Sequence, residues 1–110
     1  MPNAGSVDCR EALAKLLKKE QDLDCAKEDI IVTCGAAGGI NAFFRAVMER
    51  GDEVICPSPY FVEYGAYAGN FGGILKTVPS KDFTFELDVE ELAKAINEKT
   101  KAIIINSPHN

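Results

Sequence analysis

Short apolar, β-branched runs alternate with helix-like segments along this chain of 110 residues. The runs predict strands, and they cover residues 30–34, 53–56, 74–78 and 101–106. Apolar residues recur at helical spacing in the intervening segments, which are 8–20, 40–48, 60–69 and 89–97. Strands that alternate with helices through short connections are typical of a parallel sheet covered by helices. The alternation therefore predicts an α/β fold in a single domain, 1–110.

Two Asp-x-x-Glu pairs mark helix starts within this pattern. They are Asp8 with Glu11 and Asp88 with Glu91. An acidic side chain before the first turn can accept a backbone N–H that the helix leaves unpaired. These pairs predict the N-termini of the helices at 8–20 and 89–97.

The composition excludes several classes of protein. Hydrophobic residues make up 46% of the chain and charged residues 26%, which argues against disorder. A net charge of −5 gives no electrostatic reason to bind nucleic acid or an anionic membrane. The longest apolar runs are far shorter than the ~20 residues of a membrane span, and the N-terminus lacks the features of a signal peptide. We therefore expect a cytoplasmic protein.

The cysteines indicate reduced thiols rather than a metal site. Cys9, Cys25, Cys34 and Cys56 form no Cys-x-x-Cys pair, and the only histidine is His109. Cys34 and Cys56 fall in apolar, strand-like runs, where a cysteine behaves as a small buried hydrophobe. We expect no metal and no disulfide.

A glycine-rich turn, 35–39, links a predicted strand to a predicted helix. Its small residues would let a ligand approach the backbone, and the N–H groups of the first helical turn bind anions, phosphate above all. The turn lacks the Gly-Lys-Ser/Thr ending of a P-loop and the spacing of a dinucleotide site. On this motif alone, glycines that serve only close packing of the helix on the strand are the favoured interpretation.

Two further loops follow predicted strands. In 58–64, an aromatic residue could lie flat on a planar ligand, although Phe61 taken singly is more often a core residue. In 106–110, an amide could bond a ligand oxygen, although Asn-Ser-Pro also favours a simple turn. The carboxyl ends of parallel strands meet at one edge of a sheet, so the three loops together suit a phosphorylated aromatic ligand.

Several segments, taken in order, resemble one protein family. They are PNAG (2–5), REA (10–12), IVTCGAA (31–37), GDEVI (51–55), PYFVEY (59–64) and TKAIIINSPHN (100–110). The chain resembles the class I/II pyridoxal-phosphate-dependent aminotransferases of fold type I, the aspartate aminotransferase group. This resemblance implies an incomplete large domain, a partial three-layer α/β/α arrangement with a mostly parallel sheet.

The resemblance also implies a cofactor site. Backbone groups of Gly35, Ala36 and Ala37 would hold the phosphate of pyridoxal 5'-phosphate. Phe61 would stack on the pyridine ring, and Asn110 would hydrogen-bond its phenolic oxygen. Many members of the family have a hydroxyl residue in the phosphate loop. Here the backbone and the helix dipole would hold the anion alone.

The family's chemical machinery is absent from 1–110. By the resemblance, the lysine that binds the cofactor, the aspartate facing the pyridine nitrogen and the substrate-binding arginine lie beyond Asn110. The tyrosine that reaches a neighbour's phosphate falls ahead of Met1. No catalytic residue is thus assigned here. The chain looks like the front of a larger enzyme, inactive alone and holding the cofactor weakly or not at all.

The parent enzyme would transfer an amino group between an amino acid and a 2-oxo acid, and it would be a homodimer. An alternative is a stand-alone, non-catalytic α/β module that binds a phosphorylated ligand or a partner chain.

The resemblance finally suggests a strand order. We expect strands from later in the family's chain to separate 30–34 and 101–105 from the pair formed by 53–56 and 74–78. Only that pair would then be neighbours within 1–110. Three outcomes then remain open: the chain is an excerpt of a larger molecule, its strands close up into a different order, or several copies pair edge to edge. Exposed strand edges favour self-association of the isolated chain.

Overall fold

The computed structural model describes residues 2–81 and 84–107. Its α-helices are Val7–Gln21 (α1), Gly35–Val47 (α2), Glu63–Gly69 (α3) and Val89–Ala95 (α4), with a short 3-10 helix at Lys27–Asp29. Its strands are Glu53–Ser58 (β1), Ile74–Pro79 (β2) and Thr100–Ile103 (β3). The chain divides into two compact units, Met1–Gly39 and Ile40–Asn110. None of the described helices has the length and apolar character that a membrane span requires.

The first unit consists of α1, the 3-10 helix and an extended segment. The Arg10 guanidinium donates to the Lys27 carbonyl at 2.9 Å, and the Lys27 ammonium pairs with the Glu11 carboxylate at 2.6 Å. These contacts join the first half of α1 to the 3-10 helix.

The prediction of a strand at 30–34 is wrong. Residues 30–33 pair with no strand in the described part of the chain, and Cys34 lies in a bend with its side chain exposed rather than buried. The Val32 N–H donates to the Ala4 carbonyl at 3.0 Å instead. A β-branched run favours extended backbone, but a strand also requires a partner with which to exchange hydrogen bonds.

The second unit contains a parallel sheet whose described strands have the order β2-β1-β3. The predicted separation of β3 from β1 is therefore wrong, since Ile55 is paired with Ile103 and the Ile104 N–H donates to the Ile55 carbonyl at 2.8 Å. The predicted parallel α/β fold is confirmed.

The central strand β1 is buried on both faces of the sheet. Val54 and Ile55 are adjacent in β1, so their side chains point to opposite faces, and both are fully buried. Val54 packs with Phe44 of α2 and Ala68 of α3, while Ile55 packs in a second cluster on the side of α4. The result is three layers, as predicted, with every interior residue of β1 inaccessible to solvent.

Gly73 allows β2 to begin close to its neighbours. A Cβ at this position would overlap Met48 Cε, and it would lie 3.1 Å from the Ala68 carbonyl oxygen and 3.3 Å from the Asp52 carbonyl oxygen. The Gly73 N–H donates to the Ala68 carbonyl at 3.0 Å. Only glycine fits this approach without displacement of the surrounding atoms.

Candidate functional site

A cavity of about 210 Å³ lies at the carboxyl edge of the sheet. It is lined by residues from the ends of the strands and from the segments that follow them. They are Cys56, Pro57, Tyr60, Phe61, Tyr64, Ser80, Phe85, Leu87, Ile104, Ile105, Asn106 and Ser107. Ligands of open α/β sheets bind at this edge, so the cavity is the candidate site in the second unit.

Phe61 lines this cavity and is not a core residue. Its side chain is 42% exposed. The helix predicted at 60–69 begins only at Glu63, so Phe61 lies on the non-helical segment that precedes α3. The Tyr64 N–H donates to the Phe61 carbonyl at 3.0 Å, which fixes the backbone of Phe61 against the first turn. The interpretation of Phe61 as a core residue is excluded.

Two hydrogen bonds between Ser58 and Ser80 fix the C-terminal end of β1. The Ser80 N–H and Ser80 Oγ both donate to the Ser58 carbonyl, at 3.2 and 2.5 Å. The Ser58–Pro59 peptide bond that follows is cis. The two hydrogen bonds join the ends of β1 and β2 where the segment that carries Phe61 begins.

The loop between β2 and α4 contributes residues that the sequence did not single out. Phe85 and Leu87 line the cavity, and Phe85 has a positive φ of 59°. The Lys81 N–H donates to the Glu86 carbonyl at 2.9 Å. No sequence signal pointed to these two residues, because period-two alternation places side chains on one side only in an extended strand, and residues 85–88 form none.

The glycine-rich turn opens α2 in the first unit. Gly35 has a φ of +73°, and its N–H donates to the Thr33 carbonyl at 3.0 Å while Thr33 Oγ1 donates to the Gly35 carbonyl at 3.0 Å. A Cβ at Gly39 would lie 3.2 Å from Thr33 Oγ1. Close packing thus accounts for Gly39, while Ala36 and Ala37 lie in the first helical turn.

The residues predicted to bind the cofactor fall in separate parts of the chain. Gly35, Ala36 and Ala37 belong to the first unit, and Phe61 belongs to the second. Asn110 lies outside the described residues. Asn106 and Ser107, from the same polar segment as Asn110, line the cavity with Phe61.

Cys56 is a buried thiol in the cavity wall, 3% exposed. Burial raises the pKa of Cys56 to about 11, because the thiolate would lose its hydration. Its Sγ lies 3.6 Å from the Pro57 carbonyl oxygen. The thiol is therefore protonated at neutral pH and is not a nucleophile for chemistry in the cavity.

The model of the family "Aminotransferase class I and II" matches residues 1–110. The chain belongs to this family. The match covers both units and includes the glycine-rich turn, Phe61 and the polar segment after β3.

Relatives and solved structures agree with this assignment. The chain is 41% identical over 110 residues to a probable aspartate/prephenate aminotransferase of Aquifex aeolicus, covering 99% of this chain and 28% of the relative. It is 36% identical to an aspartate aminotransferase of Bacillus subtilis, again over 28% of the relative. A solved aspartate aminotransferase of Thermus thermophilus with maleate superposes with a TM-score of 0.93 at 38% identity, over 99% of this chain and 29% of that chain. The chain thus spans less than a third of the length of these proteins.

Proposed function

We propose that the whole protein is a pyridoxal-phosphate-dependent aminotransferase that moves an amino group between an amino acid and a 2-oxo acid. The observation that supports this most is the half-exposed ring of Phe61 on the cavity at the carboxyl edge, in a chain that matches the family throughout. The four free thiols are compatible with a cytoplasmic setting. The resemblance implies a homodimer for the whole protein.

Each unit contributes residues of a kind that the proposed cofactor requires. The exposed ring of Phe61 offers a flat surface for the pyridine ring. The N-terminus of α2 offers the positive end of a 13-residue helix, and the methyl side chains of Ala36 and Ala37 leave its first turn accessible to phosphate. The Gly35 N–H is used within the turn, so Gly35 would contribute through its backbone conformation. Asn110 would bond the phenolic oxygen.

The cofactor, when bound, supplies an electron sink for bond cleavage at the substrate's α-carbon. The residues of this chain would bind and orient it. The lysines with shifted pKa values are unsuited to covalent attachment, because the carboxylates beside Lys18, Lys27 and Lys94 raise their pKa values and keep them protonated. Lys76 donates to the Ala95 carbonyl at 2.9 Å. Attachment and proton transfer would belong to residues of the whole protein outside 1–110.

An assay of two polypeptides tests this division of roles. The whole protein and the 110-residue chain are each incubated with pyridoxal phosphate, an amino-acid donor and 2-oxoglutarate, and glutamate is quantified. We expect turnover by the whole protein and only the free-cofactor background from the short chain. Turnover by the short chain would contradict the assignment of roles. A whole protein inactive with every donor would favour the non-catalytic module.

The donor panel follows from the names of the relatives. These include aspartate/prephenate aminotransferases, an aromatic aminotransferase of Pyrococcus horikoshii and an Escherichia coli protein with a methionine aminotransferase function. We propose aspartate as the first donor to test, since the relatives from Aquifex aeolicus, Thermus thermophilus and Bacillus subtilis are all named for it. Aromatic amino acids and methionine complete the panel, and the ratio of kcat/KM values identifies the preferred donor.

A further inference from the structure

The backbone alone does not fix the ring of Phe61. Phe61 precedes α3, and its side chain is 42% exposed on the cavity. An exposed aromatic side chain samples several rotamers unless a neighbour restricts it. A ring that serves as a platform for a planar ligand must keep one orientation, so a residue that contacts the Phe61 ring matters.

Tyr64 makes that contact. The ring centroids of Phe61 and Tyr64 are 5.7 Å apart, and the ring planes meet at 71°. This edge-on geometry is the favourable one for two aromatic rings. The Tyr64 N–H also donates to the Phe61 carbonyl at 3.0 Å. Both the main chain and the ring of Phe61 are thereby linked to one residue of α3.

Tyr64 is in turn held from the core side. Its ring centroid lies 6.4 Å from that of Tyr67, with the planes at 53°. Tyr67 packs against the buried cluster that contains Phe44, and its hydroxyl donates to the Glu63 carboxylate at 2.5 Å. Tyr64 and Tyr67 are three residues apart and lie on the same side of α3. The contact between Tyr64 and Phe61 extends this row of rings from the core to the cavity.

We infer that Tyr64 is a positioning residue, whose ring holds the plane of Phe61 for the aromatic ring of the cofactor. This inference rests on the proposed function. The ring of Tyr64 performs this role, and its hydroxyl is not required. Removing the ring would leave Phe61 in place but free to turn, so the cofactor would lose part of its stacking surface.

A double-mutant cycle in the whole protein tests the inference. The variants are Tyr64→Leu, Phe61→Leu and the double variant, and the readouts are the Kd for pyridoxal phosphate and the circular dichroism that the protein induces in it. We expect Tyr64→Leu to raise the Kd about two- to tenfold and to weaken the induced signal. In the Phe61→Leu background the same change should have almost no further effect, because its target is gone.

Two other variants distinguish the effect of the Tyr64 ring from that of its hydroxyl and from a general disturbance of the cavity. Tyr64→Phe keeps the ring and should restore the wild-type Kd and induced signal. Tyr60→Leu is the matched control, since Tyr60 lines the same cavity, and its effect should add to that of Phe61→Leu. Tyr64→Met replaces Tyr64→Leu if that variant does not fold.

The outcomes are distinct. Additive effects of Tyr64→Leu and Phe61→Leu, or a Tyr64→Phe variant as impaired as Tyr64→Leu, would overturn the positioning role and leave the proposed function intact. A wild-type protein that binds no pyridoxal phosphate would overturn both.

Discussion

Asp88 shows how a single side chain sets the start of a helix. Its Oδ1 accepts the Glu91 N–H at 3.1 Å, ahead of the first turn of α4. We expect Asp88→Ala to lower the free energy of unfolding of the whole protein by about 1 kcal/mol, because the first turn of α4 would lose its cap. Chemical denaturation measures the loss.

Ser6 provides the matched control for Asp88. It occupies the equivalent position before α1, but its side chain makes no capping hydrogen bond within the described residues. Ser6→Ala should change the free energy of unfolding by less than about 0.5 kcal/mol. Equal losses for the two variants would show that the Asp88 bond contributes nothing.

Cys56 should resist alkylation. With its pKa raised to about 11 by burial, about a thousandth of the thiol is ionised at pH 8, and only the thiolate reacts. We expect iodoacetamide to label the exposed Cys9 and Cys34 of the native protein first. Labelling of Cys56 should increase as the pH rises toward 11. Mass spectrometry of peptides quantifies each site, and early labelling of Cys56 would contradict its burial.

Local signals predict caps at both Asp8 and Asp88, and only the cap at Asp88 is confirmed. Asp88 caps α4 as predicted, because the Asp88 carboxylate and the Glu91 N–H are only three residues apart and their hydrogen bond requires no other part of the chain. Asp8 has the same spacing, yet α1 begins at Val7 and Glu11 pairs with Lys27, sixteen residues away. Asp8 thus lies inside the first turn of α1 rather than ahead of it. Which residue begins a helix depends on contacts outside this short motif, and the motif alone does not display them.

The strands show the same limit at the scale of elements. The apolar runs at β1 and β2 predicted strands correctly because both lie in a covered sheet. The run at 30–34 is also apolar and β-branched but forms none. Composition reports a preference for extended backbone, whereas pairing depends on which segments meet. The start of α3 was also placed three residues early, which concealed that Phe61 faces a cavity.

Gly73 and Gly69 form a matched pair at the junction of α3 and β2. Gly73→Ala should lower the free energy of unfolding by about 1–3 kcal/mol, because the added methyl would meet Met48 and two backbone carbonyls. Gly69 lies at the end of α3, and no described atom would lie within 4 Å of a methyl group added there. Gly69→Ala should therefore be neutral or stabilising by up to about 1 kcal/mol. Thermal unfolding of both variants tests these two expectations. A Gly73→Ala variant as stable as the wild type would show that β2 can shift to accommodate the methyl group.

The isolated 110-residue chain should self-associate. Among the described strands, β2 and β3 lie at the two edges of the sheet. Ile103 of β3 is 40% exposed, and Ile105 beyond it is 58% exposed. Unpaired edges with apolar side chains pair with other chains. Size-exclusion chromatography with light scattering should therefore report species larger than the monomer.

A charge on the edge should suppress this association. Ile103→Lys places a lysine on β3, where it opposes pairing with another chain. Val62→Lys is the control, because Val62 is 78% exposed and lies outside the strands. A monomeric wild-type chain, or equal suppression by both variants, would exclude association through the β3 edge.

The resemblance predicted the architecture of the molecule better than its strand order. Layers and parallel direction follow from alternating strands and helices, which any stretch of the chain displays. The adjacency of β1 and β3 depends on which edge of β1 each later strand joins, and no residue in either strand specifies that choice by type. The direct pairing of Ile55 with Ile103 therefore had to be observed.

The central position of β1 has a consequence for biosynthesis. β1 leaves the ribosome before either of its partners, and β2 and β3 then join it on opposite sides. β2 and then β3 can therefore pair with the free edges of β1, and neither has to insert between strands that are already paired. Consecutive strands are separated by a single short helix, so loop closure costs little. The nascent chain can complete this part of the sheet in the order in which its segments are translated.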